Sequence, residues 1–416
     1  MALKPNKNMT ARSSTSATAA FPDFDTCLYP EQEMIRLPFI SAHSEFYPDI
    51  DYEDTGTLFQ ALLRYYLEQN KFSDQYIFRD LQLADRTIRE NMSFEYFIIK
   101  NRAVSRSNGA ILLLHGLNEK SWRKYIPWAQ RLCRITRRPV ILFPIAFHMD
   151  RAPSDWSTPR KMIPVARERS QLFPHLDGCS FVNAALSHRI QFAPHRFLTS
   201  GMHTIFDAAD LIGSIRGGSH PLFSPGASVD LFGYSIGATL AELLLFSNPG
   251  RLLSDSRAFL FCGGAVLGEV RPVSRTIIDG EAHRELLVFF ERMFNGVASL
   301  SKHLRDLSAR YMHEIEWFKA LLFRDRMQVQ RETRIREMSN RIAAAVMEKD
   351  GVFQPEAVYS TLRGWDGSIP VDIVTYDLPF EYTHENPLPR NTDNQKEVDT
   401  VFSAIMEQAG NFYQQV

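Results

Sequence analysis

The sequence predicts an α/β fold, a doubly wound and mostly parallel sheet carrying an inserted helical cap, and three observations lead there. The first is the stretch Val229 to Leu245, where a short apolar run stops at Gly233-Tyr234-Ser235-Ile236-Gly237 and a helical pattern begins at once. Strand, tight turn and helix around Gly-x-Ser-x-Gly form a nucleophile elbow. The second is a pair of continuous apolar runs, Ala110 to Leu114 and Val140 to Phe147, separated by a helical stripe of Trp122, Tyr125, Ile126, Ala129, Leu132 and Cys133. Runs without alternation are what strands buried on both faces look like, and strand–helix–strand at this spacing is a βαβ unit. The third is a break in that alternation. From Leu286 onward apolar residues recur in steps of four and three through Leu322, a stripe longer than an ordinary globular helix presents.

Composition bounds the rest. The 416 residues are 44% hydrophobic with 30 Phe, enough for a large core. Lys and Arg number 47 against 48 Asp and Glu, so no global field points to nucleic acid or an anionic membrane. The four cysteines, Cys27, Cys133, Cys179 and Cys262, have no metal-type or redox-type spacing, and the pattern fits a reducing, cytoplasmic compartment. No apolar run is long enough to span a bilayer. There is no Gly-x-Gly-x-x-Gly after a strand, no phosphate-binding loop of the Walker type and no His-Glu-x-x-His, so no cofactor and no metal are expected.

Taken in order, residues 1–20 read as disordered, being rich in Ser, Thr and Ala without an apolar segment. Residues 21–54 lack periodicity and read as a surface wrap, and 55–69 as an amphipathic helix. Arg86 to Lys100 carries the leading strands. The βαβ unit follows, then a stretch from Val165 to Pro194 of mixed pattern, a helix over Thr199 to Ile215, the elbow, and a further buried strand at Ala258 to Cys262. A core of residues 21–280 and 351–416 is thus interrupted by residues 281–350, read as a helical hairpin whose second member is the charged helix Arg331 to Lys349. It serves either as a lid or as the contact of a homodimer. Ile369 to Tyr376 is the last strand, Asp377 to Asn394 a loop, and Lys396 to Gln414 the closing helix.

The turn chemistry at the elbow is physical. A side chain at position 233 or 237 would collide with the neighbouring strand or helix, and glycine removes the clash. Ser235 is lifted above the sheet, and the amide of Ile236 opens a helix, where developing negative charge is stabilised.

His115-Gly116 after a buried strand, the Gly-Tyr-Ser-Ile-Gly elbow and a histidine in a loop before the last helix together resemble an α/β-hydrolase. The string His115 to Trp122 resembles an uncharacterised bacterial branch of that superfamily. The resemblance implies that Ser235 is the nucleophile and that the amides of Leu117 and Ile236 form the oxyanion hole. Its chain order of serine, acid, histidine leaves His283, His303, His313 and His384 as possible bases. The first three fall in the helical insertion, so His384 is the expected base. His115 reads as a loop-former. The expected acid is Asp377, just past the last strand, with Glu269, Asp279 and Glu385 as alternatives. The implied function is a serine hydrolase acting through an acyl-enzyme, on a small-molecule carboxylic ester. The rival expectation is a hydrolase-like fold that binds or assembles without catalysing.

Overall fold

A computed structural model describes residues 29–47, 85–296, 300–390 and 392–415. The expected disorder over 1–20, the helix over 55–69 and Cys27 lie outside them.

Among the described residues the core is an eight-stranded sheet, built from β1 (Gln32–Ile40), β2 (Ser93–Asn101), β3 (Ser107–Leu114), β4 (Val140–Leu142), β5 (Phe223–Tyr234), β6 (Ala258–Phe261), β7 (Ile342–Met347) and β8 (Asp372–Tyr376). Their spatial order is β1-β2-β4-β3-β5-β6-β7-β8. The β1–β2 and β2–β4 pairs are antiparallel, and every pair from β4 to β8 is parallel. This order and these directions are those of an α/β-hydrolase sheet, as expected. The parallel strands are sealed on both faces, which is why Ile111 to Leu114, Val140 to Leu142 and Ala258 to Phe261 read as unbroken apolar runs.

Two helical layers cover the sheet. On one face lie α1 (Tyr125–Thr136) and, later in the chain, the closing helix α11 (Gln395–Gln414). These two helices approach so closely that a Cβ at Gly410 would run into the Ile135 side chain. The next helices in the chain are α2 (Pro159–Leu172), α3 (Ala184–Phe192), α4 (His195–Arg216) and the elbow helix α5 (Ile236–Ser247). Then come α6 (Gly280–Phe294), α7 (Lys302–Arg310), α8 (Met312–Ala320), α9 (Gln328–Glu337) and α10 (Pro355–Leu362).

The sequence expectations need three corrections here. Gln32–Ile40 belongs to the sheet as an edge strand beside β2 rather than to a surface wrap. Its half-exposed alternation is weak because only one neighbour covers it.

Residues 281–350 are not a helical hairpin. The long stripe is divided at Asn295-Gly296, at Ser301, whose hydroxyl caps α7 by accepting from Leu304 N at 3.2 Å, and at Tyr311. The pieces pack on the core. Trp317 of α8 lies 5.7 Å from Phe246 of α5, and His313 reaches the Ser247 carbonyl oxygen at 3.0 Å. A covered outer face explains why α5 is apolar on nearly every side, Glu242 being its one ionisable residue.

The supposed second helix of the insertion ends at Glu337. Ile342 to Met347 is instead β7, buried between β6 and β8. Its Ile335, Met338, Ile342 and Val346 spacing imitates a helix, but Ile-Ala-Ala-Ala-Val-Met is a six-residue run without a polar member, the pattern of a doubly covered strand.

Candidate active site

The first strand of the parallel block, β3, has β4 on one side and β5 on the other, so the chain reverses its direction of winding between β3 and β5. The crevice beyond the carboxyl ends of the strands at such a reversal is where ligands bind in open α/β sheets. The loops that matter leave the sheet there: His115-Gly116-Leu117 after β3, Ser235 after β5, Asp350 after β7, and the loop to α11 after β8.

At the elbow Ser235 has φ +57° and ψ −125°, a strained backbone for a residue with a side chain. The turn is held by Ser235 N donating to the Phe261 carbonyl (3.1 Å) and Ala238 N donating to the Ser235 carbonyl (2.9 Å). Both glycines are obligatory. A Cβ at Gly237 would lie 2.6 Å from the Leu114 carbonyl carbon, and one at Gly233 would lie 2.5 Å from the Gly237 oxygen.

Ser235 Oγ lies 2.7 Å from His384 Nε2. On the other side of the ring, Nδ1 is 2.8 Å and 3.0 Å from the two oxygens of Asp350. A carboxylate only accepts, so the proton sits on Nδ1 and the Nε2 lone pair faces the serine hydroxyl. All three residues are buried, with 5% of Ser235 and 5% of His384 exposed, so little water competes for these bonds.

Asp350 closes a turn on itself. Its Oδ1 accepts from Val352 N (2.8 Å) and Phe353 N (3.0 Å), which aims the carboxylate at His384. Two rings also stack on the imidazole, Tyr234 with centroids 5.6 Å apart at 14° and Phe353 at 5.6 Å and 22°. The Tyr234 hydroxyl donates to the His384 backbone carbonyl.

A charged link joins this loop to the one after β3. Lys124 sits 4.4 Å from the Tyr234 ring centroid, pairs with Glu119 and donates to the Glu385 carbonyl at 3.0 Å. Glu119 in turn accepts from Tyr125, whose hydroxyl oxygen takes the Gly116 amide at 2.9 Å.

Of the sequence-predicted residues, Ser235 and His384 are brought together, and Leu117 and Ile236 line the same cavity as Ser235. Asp377 is not part of this cluster, which corrects the expected acid. It is three-quarters exposed and lies 3.9 Å from Lys349. The other acids are also engaged elsewhere. Glu269 meets Arg324 at 3.0 Å, and Asp279 caps α6 while holding Arg169. Glu385 accepts from Ser274 and Thr276, 2.7 Å each, and ties the His384 loop down.

The sequence conceals Asp350, because the spacing of Ile335, Met338, Ile342 and Val346 imitates a helix running through β7. Once Ile342 to Met347 is taken as a strand, Lys349-Asp350-Gly351 is a turn at its carboxyl end, and the acid stands out. His115 is the expected loop-former: Nδ1 donates to the Gly116 carbonyl (2.8 Å) and Nε2 accepts from Ile145 N (2.9 Å). Burial drives its pKa well below the usual histidine range.

Ser235 opens onto a solvent-connected pocket whose walls are mostly apolar, including Leu267, Ile277, Val352 and Phe353, with Leu286, Phe290 and His283 supplied by α6. Among the described residues no cluster of His, Cys, Asp and Glu has the form of a metal site, and no helix is long and apolar enough to cross a membrane.

The profile of a family of unknown function, DUF6051, matches residues 27–414. No curated protein matches. Among solved structures the chain is similar to carboxyl esterase 2 of the mycorrhizal fungus Tuber melanosporum, with 9% identity, 77% of this chain and 82% of that one covered, and a TM-score of 0.41. It is also similar to an esterase of the archaeon Pyrobaculum calidifontis, with 13% identity, coverage of 84% and 98%, and a TM-score of 0.39. A carboxyl esterase of Bacillus coagulans matches with 11% identity, coverage of 76% and 94%, and a TM-score of 0.39. At these values the fold assignment rests on the strand order and directions of the sheet itself.

Proposed function

The chain belongs to DUF6051, a family of unknown function, and we propose that it is a serine hydrolase that cleaves carboxylic esters with an apolar acyl group. The observation that carries this reading is the buried hydrogen-bonded chain Ser235–His384–Asp350 at the mouth of an apolar cavity.

In this mechanism Ser235 Oγ attacks the ester carbonyl while His384 Nε2 takes its proton. The carbonyl oxygen becomes an oxyanion and is held by the amides of Leu117 and Ile236, the second at a helix N-terminus. Collapse expels the alcohol, which receives the proton from His384, and leaves the acyl group on Ser235. A water molecule, deprotonated by His384, then attacks the acyl-enzyme, and as the acid leaves His384 returns the proton to Ser235 Oγ. Asp350 holds the imidazole in the Nδ1–H tautomer and stabilises the imidazolium.

Helix α6 reads as part of a cap over the acyl group, since Leu286 and Phe290 line the cavity. That supports a lid rather than a dimer contact. The free cysteines Cys133, Cys179 and Cys262 support a reducing, cytoplasmic setting.

A fluorophosphonate probe tests the reading directly. It should label the wild-type serine at neutral pH and fail to label Ser235→Ala. Absence of labelling on the folded wild type overturns the proposal.

A further inference from the structure

A second pocket, open to solvent, shares the walls Leu117 and Phe197 with the apolar cavity and has a different chemistry. Its lining includes His148, Lys120, Arg189 and Ser200, and among the described residues no carboxylate lines it.

His148 is buried, and its two ring nitrogens are treated unequally. Nδ1 donates to the Ala146 carbonyl at 2.9 Å. Nε2 is buried and has no hydrogen-bond partner among the described residues. Burial, with Lys120 and Arg151 nearby, lowers the pKa of this histidine to about 4, so Nε2 is a lone pair without a donor. A buried acceptor left unpaired is unfavourable, and a ligand hydroxyl satisfies it.

Lys120 adds the charge. Its ammonium is positioned by Asn118 Oδ1 at 2.7 Å, and Asn118 is itself fixed through Nδ2 to the Thr276 (2.6 Å) and Val182 (3.1 Å) carbonyls. Arg189, by contrast, is engaged with Asp85 at 2.5 Å. The acceptor and the cation therefore both line a chamber that shares Leu117, the candidate oxyanion residue, with the acyl cavity.

We propose that this chamber binds the alcohol half of the substrate, a small alcohol that carries a further hydroxyl beside an anionic group. The hydroxyl donates to His148 Nε2, and the carboxylate or phosphate pairs with Lys120. The inference rests on the ester-hydrolase reading for its meaning as a leaving-group site, but the binding it requires does not depend on catalysis.

The test is calorimetric titration of the full-length protein with glycerate, glycerol 3-phosphate and neutral glycerol. At least one anion should bind at millimolar concentration, and glycerol at least about tenfold more weakly. The preferred anion identifies carboxylate or phosphate as the charge. Lys120→Met should weaken anion binding by about tenfold or more. His148→Phe should weaken it similarly, with its melting temperature measured to confirm folding.

No anion binding by the wild type, or undiminished binding by Lys120→Met, overturns the proposal. Turnover separates this result from the hydrolase reading. The butyrate ester of the preferred anionic alcohol should show a lower KM than ethyl butyrate. Hydrolysis of esters without anion binding sinks the chamber alone, and Lys120-dependent binding without any hydrolysis sinks only the hydrolase.

Discussion

Ser235 and the amides beside it come from two short loops at the ends of adjacent strands, β3 and β5, and their geometry is set by close backbone contacts with β3 and β6. His384 and Asp350 come from the loops after β8 and β7, at one edge of the sheet; Asp350 is aimed by its own turn, and His384 is held by contacts far apart in the chain. His384 depends on Tyr234, 150 residues away, and on Asp350, 34 residues away. The serine side is rigid because steric exclusion leaves it one conformation. The histidine side is rigid only because stacking, a carboxylate and a charged link converge on one ring. A sterically determined turn resists substitution nearby but fails outright when a Cβ is added at the wrong place. An assembled site loses function according to which contact is removed.

The largest expected effect breaks the histidine side. Asp350→Asn should lower kcat by about 10⁴-fold, because an amide can donate to Nδ1 and favour the wrong tautomer. Initial rates on a p-nitrophenyl ester check this.

On the serine side, Gly237→Ala should destabilise the fold by about 3 kcal/mol, since the new methyl meets the immovable β3 backbone. Chemical denaturation would report it.

Smaller in scale is a change on α5, just behind the elbow. Glu242 is fully buried, neither of its side-chain oxygens has a hydrogen-bond partner among the described residues, and burial raises its pKa to about 8. In the unfolded chain it ionises near its ordinary value, so between about pH 4.5 and 8 the native state holds the extra proton and wild-type stability falls as pH rises. Glu242→Gln should therefore melt higher than wild type at pH 8, by roughly 2 kcal/mol of stability, with the gap closing towards pH 5.

Tyr234→Phe keeps the ring stack and removes the hydroxyl that holds the His384 carbonyl. A fall of about tenfold in kcat, with KM little changed, is expected. Asp377→Asn should change the rate by less than about twofold, because that exposed carboxylate faces Lys349. A large loss there would contradict the assignment of Asp350.

What was legible in the sequence follows the same division. The elbow, the βαβ unit and the closing helix are local patterns, and β3, β5 and α11 lie where those patterns put them. His384 could be reached by elimination because the chain order of the elements restricts the choice. The edge strand β1 was hidden because one-sided cover leaves little periodicity, and β7 because small apolar residues satisfy a helical and a strand spacing equally well.

The sequence by itself determined that an elbow lies at Ser235, since Gly233 and Gly237 flank it between an apolar strand and a helix, while the β3 backbone that excludes a side chain at Gly237 is a tertiary contact. Only the tertiary structure decided which carboxylate meets His384. Asp350, Asp377, Asp279 and Glu385 are all carboxylates in loops or at helix ends, and nothing local distinguishes them. The distinction is that β7 lies between β6 and β8, so the turn after it points Asp350 at His384 while Asp377, one strand further out, faces solvent.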